Sequence, residues 1–447
     1  MISQKFPLIA AAVAATLAAG VANAAPPTLS AAQTPVASLV IAGSSAAESA
    51  VQAAVGADIC GGAANMLTMK SAGGSGNFFA FSCTPSPAIS GVPAGVIDIY
   101  YRTEGGSVVG ALPVVSQAKI KRLNLSDSTC TATGTSGTCS ITGLTATAGT
   151  QDSWAGAVTQ DFVQLGVTDV EPGQLGQSGD YPSAYSQAAF GTASPKALAA
   201  LPTSRIFQQV FGIVINTTGG AFPTSASTAG VSLSKESIQN ILLRNYTDWS
   251  NVPSLNSTSA LVGTSQIITP IDREPGSGTR TATNIFFLNY GCGNSVAIDS
   301  GSETLNFSTT DELNAAEATA GAIAYTSIDQ ILKNPAAFPN LVLANINGVT
   351  PSNLAAATGA YDYWYEATFV TNASQLTGAS LDIANVLEAK LPVLANAPGS
   401  PDINVIPSYK GNVGAVPITS SGTGTAEIYI NPFTRGGNSC NVPLEQN

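Results

Sequence analysis

The stretch that most constrains the fold of this chain runs from Ile267 to Phe287 and reads IITPIDREPGSGTRTATNIFF. Its first three residues are β-branched and predict a strand, and the turn from Arg273 to Thr279 leads into a helix. Glycines in the turn let the backbone approach a ligand closely, and the start of a helix leaves N–H groups without intrahelical partners. Because the helix dipole adds positive potential at the same end, this stretch predicts an anion-binding site.

Three side chains of the turn strengthen that interpretation. Ser277 and Thr279 contribute hydroxyl donors, and Arg273 contributes a planar fork of N–H groups that matches a tetrahedral oxyanion. A turn of Gly, Ser and Thr can also serve only to cap a helix. The arginine four residues before the serine, in the pattern R-x-x-G-S-G-T, makes the anion-binding interpretation the more specific one.

Three more strands end in turns of the same kind. A strand at 37–42 leads into Gly43-Ser44-Ser45 and a helix, a strand at 96–102 leads into a Gly-rich turn, and a strand at 162–167 ends at Thr168-Asp169. One such turn predicts little, since Gly, Ser and Asp are common there for capping. Four of them predict ligand contacts at the carboxyl ends of parallel strands, where open α/β sheets bind.

Residues 1–24 are predicted to be a signal peptide. Lys5 supplies the positive charge, Leu8 to Val21 supply the apolar segment, and Ala22-Asn23-Ala24 supply the cleavage site. The apolar segment is short for a membrane span, and no cysteine follows it for a lipid anchor. No other stretch suits a span, so we expect a soluble mature protein in the periplasm or secreted.

Length and charge narrow the possible functions. A mature chain of about 420 residues exceeds what one core supports, which predicts two lobes. The formal net charge is −11, and removal of Lys5 makes the mature charge about −12. This charge argues against nucleic acid and anionic membranes as partners. It does not argue against a small anion, because local donors act at short range while the net charge is screened.

The chain contains no histidine. A Ser-His-Asp triad, a Cys-His pair and any histidine-ligated zinc or haem site are therefore excluded. Catalysis with a lysine or carboxylate base stays open, but no spacing in the sequence suggests it. We expect a protein that is not an enzyme and that has no cofactor and no metal.

Six cysteines, all beyond residue 24, predict three disulfides in an oxidising compartment. Six cysteines allow fifteen pairings, so the sequence alone does not fix them. A bond between Cys60 and Cys83 would close the first helix onto the next strand. If Cys130 also pairs with Cys139, Cys292 and Cys440 are left to form the third bond.

Two segments lack a clear hydrophobic pattern. Residues 130–149 are rich in Ser, Thr and Gly, and we expect a surface loop pinned by a disulfide between Cys130 and Cys139, the best supported of the pairings. Residues 172–202 are rich in Gly, Pro, Ser and Tyr and predict irregular structure.

The remaining apolar segments predict how the lobes connect. Residues 207–216 are the strongest apolar run in the middle of the chain and predict a strand that crosses between lobes. Residues 234–244 predict a helix capped by Ser234, and Trp249 after it is interpreted as a core residue. A second crossing strand is expected at 341–346.

The R-x-x-G-S-G-T turn resembles the anion-binding turn of the phosphate-binding proteins that serve bacterial ABC transporters. The block LSKESIQNILLRNYTDWSNV and the strand GAIAY at 321–325 are similar to segments of that family's second lobe. The resemblance implies an α/β, two-lobed type-2 periplasmic-binding-protein fold, with a ligand cleft between the lobes and two crossing strands. Residues 25–210 and 341–447 would form the first lobe and residues 211–340 the second.

The resemblance also implies a set of ligand-binding residues, which are Ser44, Ser45, Ser107, Asp169, Arg273, Ser277, Gly278 and Thr279. The register after the first strand is open by one residue, so Ala46 is an alternative there, and Gly106 belongs to the same turn as Ser107. Arg102 and Glu104 depart from the family, which has small or neutral residues at these positions. Glu104 would repel a phosphate unless Arg102 neutralises it or its side chain points away.

Asp169 is the unusual member of this set. A carboxylate repels an anion unless the anion carries a proton to donate. Phosphate carries such a proton at neutral pH, and sulfate does not. One acceptor among many donors is therefore expected to select phosphate over sulfate.

Three functions stay open at this point. The first is an exported, monomeric protein that captures inorganic phosphate, or a similar tetrahedral oxyanion, and delivers it to an ABC-transporter permease. The second is a weak phosphatase on the same scaffold. The third is a secreted or surface protein that kept the fold and has no transport role. A phosphate titration and a phosphomonoesterase assay separate the three.

Overall fold

A computed structural model describes residues 25–73, 77–143, 154–182, 184–222, 230–255, 259–301, 305–332, 335–391, 405–407 and 433–445. The predicted signal peptide, residues 1–24, lies outside the described residues. Within these ranges, every helix is too short or too polar to cross a bilayer.

The secondary structure mixes strands and helices throughout the chain. The strands are β1 (Ala37–Gly43), β2 (Leu67–Ser71), β3 (Phe78–Cys83), β4 (Ile97–Arg102), β5 (Lys119–Leu123), β6 (Thr131–Thr133), β7 (Ser136–Cys139), β8 (Ile141–Thr142), β9 (Ala155–Gly156), β10 (Val158–Phe162), β11 (Leu165–Thr168), β12 (Thr203–Asn216), β13 (Ser232–Leu233), β14 (Thr269–Pro270), β15 (Ala322–Ser327), β16 (Leu341–Leu343), β17 (Asn345–Ile346), β18 (Trp364–Thr371), β19 (Val405–Pro407), β20 (Phe433–Thr434) and β21 (Leu444–Glu445). The helices are α1 (Leu29–Ala32), α2 (Glu48–Ala54), α3 (Ser107–Ser116), α4 (Ala184–Phe190), α5 (Pro195–Ala199), α6 (Lys235–Leu242), α7 (Gly278–Leu288), α8 (Thr309–Ala318), α9 (Ile328–Leu332), α10 (Asn353–Ala357) and α11 (Ala379–Lys390).

The first lobe is organised around β1. The strands on either side of it, β4 and β11, are parallel to it, with Ala37 opposite Ile97 and Ile41 opposite Leu165. Such strands are apolar along their length because a parallel sheet is covered on both faces. Beyond β4, the sheet continues through the antiparallel strands β3 and β2. Since β1, β4 and β11 end at the same edge, the turns that follow them are neighbours.

Strand β12 joins the two lobes, as predicted for residues 207–216. Its first half, Thr203 to Val210, pairs with β18, and its second half, Phe211 to Ile215, pairs with β15. Its residues are buried from Ile206 onward, so the crossing strand is part of the core on both sides.

The second crossing strand lies later in the chain than predicted. Strand β16 pairs with β12 at Val214 to Asn216, and β17 pairs with β13, so residues 341–346 belong to the second lobe. The chain returns as β18, which pairs with β12 on one side and β11 on the other. An apolar run in the sequence does not specify its partner strand, which is why the predicted position was wrong.

The second lobe contains the helix and the tryptophan that the sequence singled out. The Ser234 hydroxyl caps α6 by accepting the N–H of Ser237 at 3.0 Å, as predicted. Trp249 is fully buried, donates to the carbonyl of Gly321 at 2.9 Å and packs edge-on against Phe222. Trp249 is therefore a core residue.

The Ser/Thr/Gly insertion is more regular than predicted over its described part. Strands β6 and β7 form an antiparallel hairpin, and β7 adds in parallel to β2 at the edge of the first-lobe sheet. A disulfide between Cys130 and Cys139 closes this hairpin. Residues 144–149 lie outside the described residues. The hairpin extends the sheet, so it is not a simple surface loop.

The disulfides follow the predicted pairing. The bonded pairs are Cys60–Cys83, Cys130–Cys139 and Cys292–Cys440. The third pair joins residues 148 positions apart and attaches the C-terminal segment to the second lobe just beyond α7.

Mass spectrometry of the unreduced protein is expected to find these three linked pairs and no free thiol. An oxidising compartment keeps such bonds intact. Proteolytic peptides that link Cys130 to a cysteine other than Cys139 would contradict the hairpin geometry of the insertion.

Candidate anion-binding site

Three of the predicted residues meet where β1, β4 and β11 end. The Ser44 hydroxyl donates to Asp169 Oδ1, and the Ser107 hydroxyl donates to Asp169 Oδ2 over 3.3 Å. Ser107 Oγ also accepts the backbone N–H of Asp169 at 3.0 Å. The parallel pairing of the three strands brings their turns within side-chain reach, as the sequence predicted.

The first turn of α7 reaches this cluster from the second lobe. The Thr279 hydroxyl donates to Asp169 Oδ2 over 3.4 Å, and Ser277 caps the helix by accepting a backbone N–H of the first turn at 3.3 Å. Gly278 lies directly against the carboxylate. A Cβ at this position would overlap Ser107 Oγ and lie 2.7 Å from Asp169 Oδ2, so only glycine permits this approach.

Two helix N-termini therefore open onto Asp169, one from each lobe. Helix α3 has 10 residues and begins at Ser107, and helix α7 has 11 residues and begins at Gly278. The first N–H groups of a helix have no partner within the helix, and its dipole places positive potential there. Both effects favour negative charge at this position.

Ser45 takes a different direction from Ser44. Its hydroxyl shares a hydrogen bond of 2.8 Å with the hydroxyl of Thr309, the first residue of α8. Thr309 belongs to the second lobe, so this contact also spans the two lobes. Ala46, the alternative in the predicted register, is a buried core residue whose carbonyl accepts from Gln209.

Arg273 lies behind the cluster and is 1% exposed. Its guanidinium donates to the carbonyl of Asn306 at 3.1 Å, to Thr309 Oγ1 at 3.0 Å and to the carbonyl of Phe307 at 3.3 Å. Nη2 also reaches the boundary between the lobes, where a Cβ on Gly106 would lie 3.3 Å from it. The fork is thus held by its own lobe and faces the turn that precedes Ser107.

Asp272 and Arg280 fix the backbone of Arg273. Asp272 Oδ1 accepts the backbone N–H of Arg273 at 2.8 Å, and Arg280 Nη1 donates to the backbone carbonyl of Arg273 at 3.1 Å. Asp272 and Arg280 are ion-paired with each other, and Asp180 lies 3.6 Å from Arg280. Burial raises the pKa of Asp180 to about 7, and the charge of Arg280 opposes this rise. A buried ionic cluster therefore fixes the backbone at Arg273.

Glu104 is paired within its own lobe. Its Oε2 accepts from Arg102 Nη2 at 2.7 Å and from the indole N–H of Trp154 at 3.3 Å. The Arg102 guanidinium lies between the rings of Phe78 and Phe190, 5.0 Å from each centroid. Arg102 thus neutralises the carboxylate that departs from the family pattern, which is how a buried charge is retained.

Burial dominates the electrostatics at Asp169, which is 2% exposed. Loss of hydration raises the pKa of Asp169, whereas the Ser44 hydroxyl, the charge of Arg273, and the Ser107 and Thr279 hydroxyls lower it. The carboxylate is therefore stabilised by the same donors that would serve an anion.

The structure brings five of the eight predicted residues into direct contact at the lobe boundary, whereas Ser45 and Arg273 contact Thr309 beside them. Ser44, Ser107, Gly278 and Thr279 surround Asp169, while Ser277 caps α7. Sequence reasoning missed two members of the surroundings, Thr309 and Glu312, both in the first turn of α8. The only signal for them is the helix-capping pattern S-T-T-D-E at 308–312, which does not point to a ligand. Within the described part of the chain, no group of three or more acidic or cysteine side chains is placed to hold a metal.

Comparison with known proteins places these features in a family context. A family model described as "PBP superfamily domain" matches residues 205–402. No curated protein matches the chain.

Solved structures similar to the chain include phosphate-binding proteins of low sequence identity. A phosphate ABC transporter substrate-binding protein from Clostridium perfringens, with bound phosphate, is 13% identical, and the match covers 78% of this chain and 92% of that chain at a TM-score of 0.43. An ABC-type phosphate transport receptor from Vibrio cholerae is 16% identical, and the match covers 52% of this chain and 77% of that chain at a TM-score of 0.32. A phosphate-binding protein from Stenotrophomonas maltophilia is 12% identical, and the match covers 75% of this chain and 78% of that chain at a TM-score of 0.36.

The family match over residues 205–402 and the mixed sheet crossed by β12 and β18 agree with the sequence analysis. The predicted α/β, two-lobed type-2 periplasmic-binding-protein fold is confirmed by the family match and the strand pairing.

Proposed function

We propose that this chain is an exported solute-binding protein that captures inorganic phosphate, or a similar tetrahedral oxyanion, between its two lobes. The observation that supports this most directly is the set of donors around Asp169. Hydroxyls from both lobes, Ser44 and Ser107 on one side and Thr279 on the other, converge on one carboxylate. A solute-binding role also agrees with the PBP superfamily match.

The donors around Asp169 would replace the hydration of an anion. An anion taken from water needs several fixed donors, or its burial costs too much free energy. Backbone N–H groups at the starts of α3 and α7, the three hydroxyls and the fork of Arg273 would supply them. The hydroxyls that now donate to Asp169 would turn to the anion, and Asp169 would accept the proton of the anion.

Entry of the anion requires the lobes to separate. Besides the contacts at Asp169, the N–H of Val108 donates to the carbonyl of Gly276 at 2.9 Å, and the N–H of Gly105 donates to the carbonyl of Phe307 at 3.1 Å. Each of these bonds joins the first lobe to the second. We propose that β12 and β18 act as the hinge, because they are the strands that continue from one lobe towards the other.

Delivery to an ABC-transporter permease, a periplasmic or secreted location and a monomeric state belong to the same proposal. We propose two lobes close to those of the sequence analysis, residues 25–210 with 341–447 and residues 211–340, with the return to the first lobe moved from residues 341–346 to β18.

Calorimetric titration of refolded, phosphate-stripped protein tests the proposed function. Phosphate and arsenate are expected to bind at one site, and sulfate is expected to give no binding heat. A phosphomonoesterase assay on the same sample is expected to show no turnover. Absence of binding by all three anions would favour a secreted protein that kept only the fold, and steady hydrolysis would favour a phosphatase.

A further inference from the structure

Glu312 is a buried acid directly behind Arg273. It lies in the first turn of α8 and is 0% exposed. Its Oε1 accepts the backbone N–H of Tyr325 at 3.2 Å, and its Oε2 lies 3.7 Å from Arg273 Nη1. Among the residues that the structure describes, Oε2 has no hydrogen-bond partner. Burial of a carboxylate oxygen without a hydrogen-bond partner costs folding free energy, so the position of Glu312 beside Arg273 requires an explanation.

The groups that face Glu312 come from three surrounding elements. The turn before α7 contributes Arg273 and Asp272, β15 contributes Tyr325, and the segment before β18 contributes Tyr363. Arg273 is the one opposite charge in this set. Burial raises the pKa of Glu312 to about 8, and Arg273 opposes the rise. Glu312 is therefore mostly protonated at neutral pH and ionised above about pH 8.

We propose that Glu312 is an affinity-setting residue that competes with the bound anion for Arg273. This inference rests on the proposed function of the site around Asp169. An ionised Glu312 satisfies the charge of Arg273 from behind, and a protonated Glu312 leaves that charge to the anion in front. The protein then holds its anion under neutral or acidic conditions and releases it as Glu312 ionises.

Thermodynamic linkage gives the sign of a second effect. If ionised Glu312 weakens anion binding, then a bound anion must equally disfavour the ionised form of Glu312. The anion therefore raises the pKa of Glu312 further. Around pH 8.5, where part of Glu312 is ionised in the free protein, binding takes up protons.

The test compares phosphate binding by the wild-type protein and by Glu312→Gln across pH 6 to about pH 9.5. Gln keeps the shape and carries no charge, so the two dissociation constants should agree within about twofold at pH 6. At the alkaline end, the variant should bind about tenfold more tightly than the wild type. Because phosphate titrates equally in both experiments, the ratio cancels the protonation of the ligand.

Asp311→Asn is the matched control. It removes the same charge one residue earlier on α8, where the Asp311 carboxylate accepts from the hydroxyl of Ser308, the capping residue of the helix, at 2.7 Å. The ratio of its dissociation constant for phosphate to that of the wild type should stay near one at every pH. Calorimetry at pH 8.5 in buffers of different ionisation enthalpy gives a second measurement, in which proton uptake on binding should be smaller in Glu312→Gln than in the wild type.

The outcomes separate this inference from the proposed function. If the wild type binds no phosphate at any pH, the proposed function fails and Glu312 has nothing to tune. If the wild type binds phosphate but the ratio of the Glu312→Gln and wild-type dissociation constants does not change with pH, Glu312 has only a structural role and the inference is wrong. If the variant does not fold, which thermal unfolding will show, proton uptake by the wild type beyond that explained by phosphate supports the inference, and its absence overturns it.

Discussion

Replacement of Arg273 by alanine should weaken phosphate binding by about 2–5 kcal/mol, the loss expected when one partner of a desolvated, hydrogen-bonded charge pair is truncated. This corresponds to a decrease in affinity of roughly thirtyfold to several thousandfold. The arginine is 1% exposed, so water cannot take over its role without an opening of the lobe boundary. Titration calorimetry of the wild type and the variant at pH 7 measures the difference.

Two further variants sharpen this test. Arg273→Lys should recover only part of the loss, because an ammonium group cannot reproduce a planar fork with several directed N–H groups. Arg122→Ala is the control, since Arg122 pairs with Asp161 at 3.2 Å on β5 and β10, away from the cluster at Asp169. Unchanged affinity in both Arg273 variants would move the anion site elsewhere on the molecule.

The pH of the experiment matters because Arg273 has an acid beside it. Burial raises the pKa of Glu312 to about 8, so Glu312 is mostly neutral at pH 7. Removal of Arg273 at pH 7 therefore does not leave Glu312 as an ionised acid without its partner. At pH 9 the same substitution would leave Glu312 ionised or force it to take up a proton, either of which destabilises the folded state.

The part of the site that could be predicted from the sequence is the part that local geometry determines. Ser44, Ser107 and Asp169 follow strands that are parallel neighbours, and parallel strands end at one edge of a sheet. The contact between Gly278 and Asp169 follows from the short turn that begins α7, which tolerates no Cβ at this position. The strand ends predicted contacts at one edge of the sheet, and the resemblance to the phosphate-binding proteins singled out these particular residues.

The part that could not be predicted depends on pairing between distant segments. Residues 341–346 and residues 364–371 are both apolar, and only the hydrogen bonds of β12 show which of them returns to the first lobe. Thr309 and Glu312 look like an ordinary helix start in the sequence. Thr309 contacts Ser45 only because the two lobes face each other across the cluster, and Glu312 lies beside Arg273 only because α8 packs against the turn before α7 within the second lobe.

Asp169→Asn should lower the selectivity for phosphate over sulfate. As a carboxylate, Asp169 can accept the proton of a phosphate and repels sulfate, which has none to donate at neutral pH. Asparagine keeps the shape, removes the repulsion and adds N–H donors. A hydrogen bond to a charged group contributes roughly 1.5–3 kcal/mol, so the ratio of the two dissociation constants should move by about one to two orders of magnitude.

A matched control is available in the same sheet. Asp98 is also buried and accepts from two hydroxyls, those of Ser82 at 2.6 Å and Tyr100 at 2.8 Å, but it lies at the start of β4, away from the carboxyl ends of the strands. Asp98→Asn should leave the phosphate-to-sulfate ratio unchanged, whatever it does to stability.

The alternative role of Asp169 is structural. The carboxylate accepts from the hydroxyls of Ser44, Ser107 and Thr279, so it could serve only to hold the turns of the two lobes together. In that role asparagine would lose part of the bonding and the protein would become less stable, but both anions would be affected alike. Titration of phosphate and sulfate into wild type, Asp169→Asn and Asp98→Asn decides between these roles, because only a proton acceptor changes the ratio. If the ratio is the same in all three proteins, Asp169 does not select the ligand, even if Arg273 proves essential for binding it.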